Sequence, residues 1–92
     1  MRQYVIERDM PGIGNADARK LGEGSRKSCS VLRELGTDIQ WVHSYVTQDR
    51  IYCVYRAENE ALLREHAARS GFPATRISEV NAIIDPTTGS TT

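Results

Sequence analysis

The sequence predicts an α+β fold with the element order β-α-β-β-α-β. The central observation is residues 39–55, IQWVHSYVTQDRIYCVY, in which two alternating strand patterns are separated by the polar pair Gln48-Asp49. The second observation is that a helical pattern followed by a glycine lies on each side of this hairpin, with one more strand pattern beyond each helix. Right-handed crossovers then give a four-stranded antiparallel sheet of spatial order 4-1-3-2, with both helices on one face.

The first strand is predicted at residues 2–9, where apolar and polar residues alternate weakly. This alternation gives one face to Tyr4, Ile6 and Arg8. The loop MPGIG follows, since one proline and two glycines interrupt any regular element. We then predict a helix over about residues 16–35, with Asn15 as its N-cap.

The hairpin register follows from its turn. With Gln48 and Asp49 as the turn residues, the pairs on the side toward the helices are Val46–Ile51, Ser44–Cys53 and Val42–Tyr55. The opposite side then carries Trp41, His43, Tyr45, Tyr52, Val54 and Arg56.

The second helix is predicted at residues 60–70, with Asn59 as its N-cap. The pattern RISEVNAII then predicts a last strand over residues 76–84. We expect one domain over residues 1–86 and a flexible tail over residues 87–92, because that tail is short and polar.

Composition restricts the function classes. The 92 residues include 12 basic and 12 acidic side chains, so the formal net charge is zero and no basic block predicts nucleic-acid binding. No apolar run is long enough to span a membrane, and the first residues do not resemble a signal peptide. We therefore expect a cytoplasmic protein. Cys29 and Cys53 lack CxxC spacing and are not expected to form a disulfide.

The face of the sheet without helices needs a partner of its own. The residues predicted there are aromatic or apolar, which is typical of an interface when they form an exposed patch. The simplest solution is a homodimer in which two sheets pack face to face.

The chain also resembles a known family. The segments YVIERDMPGIG, KSCSVLRELG, IQWVHSYVTQDRIYCVYRA, NEALLREHAARSGFPATRISEV and IIDPTT are similar to those of a widespread bacterial family of small proteins, once of unknown function and now described as nickel-binding. The resemblance covers residues 4–88. It implies a ferredoxin-like fold, a dimer and divalent-metal binding, with nickel as the expected metal.

One candidate metal site combines Cys29, Cys53 and His66. The three side chains are expected to converge between the helices and the sheet, and thiolate with imidazole suits nickel, zinc or copper. The alternative is that both cysteines are simply core residues, since cysteine is among the most buried residue types.

A second candidate site lies on the open sheet face. His43 is expected there beside Trp41 and Tyr45, with Glu79 joining from the last strand and Glu7 from the first. Imidazole with carboxylate suits a divalent site completed across a dimer axis. The alternative is an aromatic dimer seam that contains one histidine.

Three functions remain open from the sequence. The first is a small dimeric protein that binds a divalent metal, as the resemblance implies, for sequestration or sensing. The second is a cofactor-independent enzyme, an oxygenase or isomerase, with Trp41, His43, Tyr45 and Tyr52 around a pocket. The third is a protein-interaction module. The absence of a phosphate loop, a GxSxG elbow and an HExxH motif favours binding over catalysis.

Overall fold

The computed structural model describes residues 1–91 and has the predicted element order. Its strands and helices are β1 (Arg2–Asp9), α1 (Ala18–Leu35), β2 (Ile39–Val46), β3 (Arg50–Ala57), α2 (Glu60–Ser70) and β4 (Arg76–Glu79). The strands form one antiparallel sheet of order β2-β3-β1-β4, which is the predicted order read from the other edge. The fold is the ferredoxin-like α+β sandwich.

The core lies between the two helices and one face of the sheet. Alternate residues of β1 and β3 point into it, and they pack with one leucine of α2. The buried apolar residues of this cluster are Tyr4, Ile6, Ile39, Cys53, Tyr55, Ala57 and Leu63. Tyr4 and Ile6, which the alternation in residues 2–9 places on one face of the first strand, both lie on this helix side of the sheet.

Both helices begin at capped residues. The backbone N–H of Leu62 donates to Asn59 Oδ1 at 3.1 Å, as predicted, but α1 is capped by Asp17 rather than by Asn15. The reason is that residues 13–15 form a short 3-10 turn, in which the N–H of Gly14 donates to the carbonyl of Gln48 at 2.9 Å. Within residues 1–91, neither helix is long and apolar enough to cross a membrane.

A β-bulge in β2 corrects the predicted hairpin register. Trp41 pairs with Tyr55 and His43 pairs with Val54, so Val42 is left over between them. One extra residue reverses the alternation on one side of the bulge. Trp41 therefore lies on the helix side, where its Nε1 donates to Ser44 Oγ at 2.9 Å, and the predicted open-face pocket around Trp41 and His43 does not form.

The last strand is shorter than predicted because its partner ends. Glu79 pairs with Tyr4, and the N–H of Val80 donates to the carbonyl of Gln3 at 2.8 Å, close to the start of β1. Ile83 and Ile84 lie beyond this point and are 74% and 78% exposed. The chain then forms a 3-10 helix over Pro86–Thr91. Thr92, the end of the predicted tail, lies outside the described residues.

Candidate functional site

The open face of the sheet presents an accessible histidine. We use "open face" for the side of the sheet away from the helices. His43 is exposed there, and its ring lies 4.9 Å from that of Tyr45 in an edge-to-face arrangement. Tyr45, which is 61% exposed, pairs with Tyr52 on the next strand. His43 thus forms part of an aromatic surface that solvent reaches.

An ion-pair network occupies the neighbouring part of the open face. Arg50 Nε donates to Asp9 Oδ1 at 2.7 Å, and its Nη1 donates to Glu7 Oε1 at 3.3 Å. A hydrogen bond with Tyr52 and then the Asp9 carboxylate raise the pKa of Arg50. Glu7 does lie on the open face, as predicted, but Arg50 partly neutralises its charge.

Glu79 lies on the other side of the sheet from His43. It pairs with Tyr4, whose side chain is in the core, and Arg2 Nη1 contacts its Oε1 at 3.3 Å. The two residues are also on opposite edge strands, β4 and β2. The prediction that Glu79 shares the open face with His43 is therefore corrected, because β4 meets β1 in a register that turns Glu79 toward the helices.

His66 is fully buried between α2, α1 and the sheet. Its Nε2 is 3.0 Å from Ser28 Oγ, and its ring centroid is 5.4 Å from that of Tyr55. No atom within residues 1–91 forms a hydrogen bond with its Nδ1. Burial, and secondarily the positive charge of Arg8, lower the pKa of His66 to about 4. The imidazole is therefore neutral at physiological pH.

The two cysteines have different surroundings. Cys53 is 5% exposed and its Sγ accepts from Arg8 Nε at 3.4 Å, whereas Cys29 on α1 is half-buried. Within residues 1–91, no three His, Cys, Asp or Glu side chains are grouped so that they could hold a metal ion. Cys29, Cys53 and His66 thus do not form such a group, and neither do the residues around His43.

The structure adds Arg8 to the candidate residues. Its side chain is 3% exposed and lines a cavity of about 450 Å³ between α1 and the sheet. The alternation in β1 predicted its face, since Arg8 follows Tyr4 and Ile6 at intervals of two. The sequence alone did not predict a functional role for Arg8, because arginine is mostly exposed in proteins.

Comparison with known proteins places the chain in a family. The sequence matches the model of the family described as nickel responsive protein SCO4226-like over residues 4–80. The crystal structure of SCO4226 from Streptomyces coelicolor A3(2) matches with a TM-score of 0.71 and 20% identity, over 89% of this chain and 99% of that chain. At that identity the likeness shows the shared fold. No curated protein sequence matches significantly. Because the family model spans most of the sequence, this chain belongs to the SCO4226-like family of nickel responsive proteins.

Proposed function

We propose that the protein is a small soluble homodimer that binds a divalent transition metal, nickel first of all, through His43 on the open face. The observation that carries this proposal is the contrast between the two histidines of the chain. His66 is enclosed and makes a hydrogen bond to Ser28, whereas His43 is exposed beside Tyr45. Imidazole is a preferred ligand for nickel, and membership of a nickel responsive family supports that choice of metal.

The proposal places the metal between two chains. One protomer offers no group of three donors within residues 1–91, so a single His43 would hold nickel weakly. In a two-fold dimer the same patch of each subunit meets its copy, which brings two His43 rings to one axis. Carboxylate or water oxygens can complete the coordination.

The character of the open face supports such a dimer. Around His43 it carries Tyr45, Tyr52, Val54 and Val5, which are exposed or half-buried in the monomer. Aromatic residues are enriched at the centres of interfaces, where they bury large areas at low entropic cost. Packing two such faces would cover this surface and bring the two His43 rings together.

Nickel titration by calorimetry, with light scattering on the same samples, tests the proposal. We expect a dimer that binds one nickel ion per two chains, and His43→Ala should weaken binding at least about tenfold. Cys29→Ser is the matched control and should leave nickel affinity unchanged. A monomer, or undiminished binding by His43→Ala, would contradict the proposal.

The physiological role divides into two measurable cases. If nickel lies across the dimer seam, nickel binding and dimerisation are linked. Nickel should then lower the dissociation constant of the dimer, which is measurable wherever part of the protein is still monomeric. A nickel-dependent shift of the monomer–dimer equilibrium would support sensing. A dimer that is complete at nanomolar protein concentration without nickel would instead support sequestration.

A further inference from the structure

A cavity lies on the side of the sheet opposite to His43. It separates the N-terminal half of α1 from β2 and β3, and its volume of about 450 Å³ is within the range of small-molecule sites. Most of its lining is apolar. The side chains that form its walls include Ile13, Leu21, Trp41, Ile51 and Phe72.

One buried cation faces this apolar space. Arg8 Nε donates to Cys53 Sγ at 3.4 Å and its Nη1 donates to the carbonyl of Pro73 at 2.9 Å. Within residues 1–91, Nη2 has no hydrogen-bond acceptor and no carboxylate forms an ion pair with Arg8. Its remaining neighbours are uncharged: the Tyr55 hydroxyl interacts with the guanidinium, and the centroid of the Phe72 ring is 6.0 Å from Cζ. A guanidinium stays charged in proteins, and an unpaired buried charge is costly.

The other polar groups of the cavity agree with an anionic ligand. Lys20 and Lys27 on α1 also line it, and the Glu23 carboxylate contacts Arg19 at 3.6 Å. The hydroxyl groups of Ser28 and Tyr55 are further hydrogen-bonding groups among the lining residues. The lining therefore combines one enclosed positive charge with apolar walls and further basic residues.

We infer that this cavity binds a small amphipathic acid, whose carboxylate pairs with Arg8 and whose apolar body packs along Leu21, Trp41 and Phe72. The two oxygens of a carboxylate can lie in the plane of a guanidinium and accept from its N–H groups. A spherical anion cannot form such a planar pair. An acid without an apolar body would leave the walls unoccupied, and an uncharged chain would leave the buried charge of Arg8 without a counter-ion. The ligand therefore needs both a carboxylate for Arg8 and an apolar body for the cavity walls.

This inference is independent of nickel. The cavity and His43 are on opposite faces of the sheet, and Arg8 belongs to neither the open face nor the proposed seam. Failure of one proposal would therefore leave the other standing.

Trp41 provides the measurement, because it lines the cavity and is the single tryptophan of the chain. Decanoate is titrated into the protein while Trp41 emission is followed, with 1-decanol as the uncharged analogue and acetate as the head group alone. We expect a saturable change in emission with decanoate. The affinities for 1-decanol and for acetate should each be lower than that for decanoate by about tenfold or more. Equal affinities for decanoate and 1-decanol would overturn the role of Arg8.

Two substitutions locate the site. Arg8→Met should weaken decanoate binding by about tenfold or more while leaving 1-decanol unaffected or tighter. Gly24→Leu should abolish binding, because Gly24 lines the cavity and a Cβ there would be 3.8 Å from Phe72 Cζ. Gly22→Leu is the matched control, since Gly22 is two residues away and outside the lining. If Arg8→Met does not fold, the Gly24→Leu and Gly22→Leu pair decides: equal decanoate binding by both would overturn the inference.

Discussion

Ser28 on α1 and His66 on α2 are joined by a hydrogen bond of 3.0 Å between Oγ and Nε2, in a fully buried position. The contact fixes the two helices to each other above Tyr55, whose ring centroid is 5.4 Å from that of the imidazole. Burial raises the pKa of Tyr55, and hydrogen bonding to Ser28 offsets only part of that effect. All three groups are therefore neutral in the folded protein near pH 7.

The buried imidazole makes stability depend on pH. The pKa of His66 is about 4 in the folded state and about 6.5 when unfolded, so between these values the unfolded chain binds more protons. The free energy of unfolding should therefore fall as the pH is lowered from about 7 to 4. The full loss attributable to His66 is on the order of 3 kcal/mol.

Denaturant melts of the protein and of His66→Gln between pH 4 and 7 measure this effect. The variant should lose that part of the pH dependence, although it is less stable at neutral pH because its side chain packs differently. His43→Gln is the matched control and should retain the slope, because His43 is exposed. Parallel pH profiles for the protein and His66→Gln would contradict the assignment.

The two thiols should react at different rates. Cys29 is half-buried on α1, whereas Cys53 is 5% exposed and covered by Arg8. With a maleimide attached to a polymer too large for the cavity that Cys53 lines, we expect one thiol per chain to react in the native state. Cys53 should react at least about tenfold more slowly, because the reagent has to wait for local opening.

Cys29→Ser is the control for this assignment and should remove the fast phase without altering the slow one. In denaturant, both thiols of the unsubstituted chain should react together. Equal reaction rates of the two thiols in the native state would contradict the burial of Cys53.

The bulge in β2 predicts an unusual tolerance to deletion. Because Val42 is the residue left over between the pairs Trp41–Tyr55 and His43–Val54, removing it restores a regular ladder with those pairs intact. We expect the Val42 deletion to change the free energy of unfolding by about 1 kcal/mol or less. Trp41 emission should remain as in the unaltered chain.

Deletion of Ser44 is the matched control. It would also absorb the bulge, but only by turning His43 toward the core beside Cys53, and it removes the acceptor of the indole N–H. Burying an unpaired imidazole and an unpaired indole donor should cost about 3 kcal/mol or more. Equal melting temperatures for the two deletions would exclude the observed register.

The sequence could predict the sheet order because alternation and crossover handedness determine it. It could not predict the bulge, because whether Trp41 or Val42 faces the helices depends on which side chain packs better against the core. The indole fills space next to Tyr55 and reaches Ser44, whereas Val42 is left 45% exposed. That choice is made by tertiary packing, which a period-two pattern does not contain.

The candidate site divides in the same way. The open-face position of His43 was predictable because it lies on the turn side of the bulge, where the register holds. The face of Glu79 depends on how β4 pairs with β1 across a crossover, which no local pattern specifies. The charge state of His66 depends on enclosure by α1, α2 and the sheet together, so only the folded structure shows it.

Two glycines of the chain should respond to alanine in opposite directions. Gly24 is inside α1, and a Cβ there would make an ordinary contact of 3.8 Å with Phe72 Cζ. Gly24→Ala should therefore raise the free energy of unfolding by about 0.5–1 kcal/mol through helix propensity. At Gly14 a Cβ would be 2.6 Å from the Cα of Gln48, a backbone atom that cannot move aside without displacing the hairpin turn. Gly14→Ala should lower that free energy by about 1–3 kcal/mol. Urea melts of both variants measure these changes. Stabilisation by Gly14→Ala would contradict the close approach of residues 13–15 to the hairpin turn.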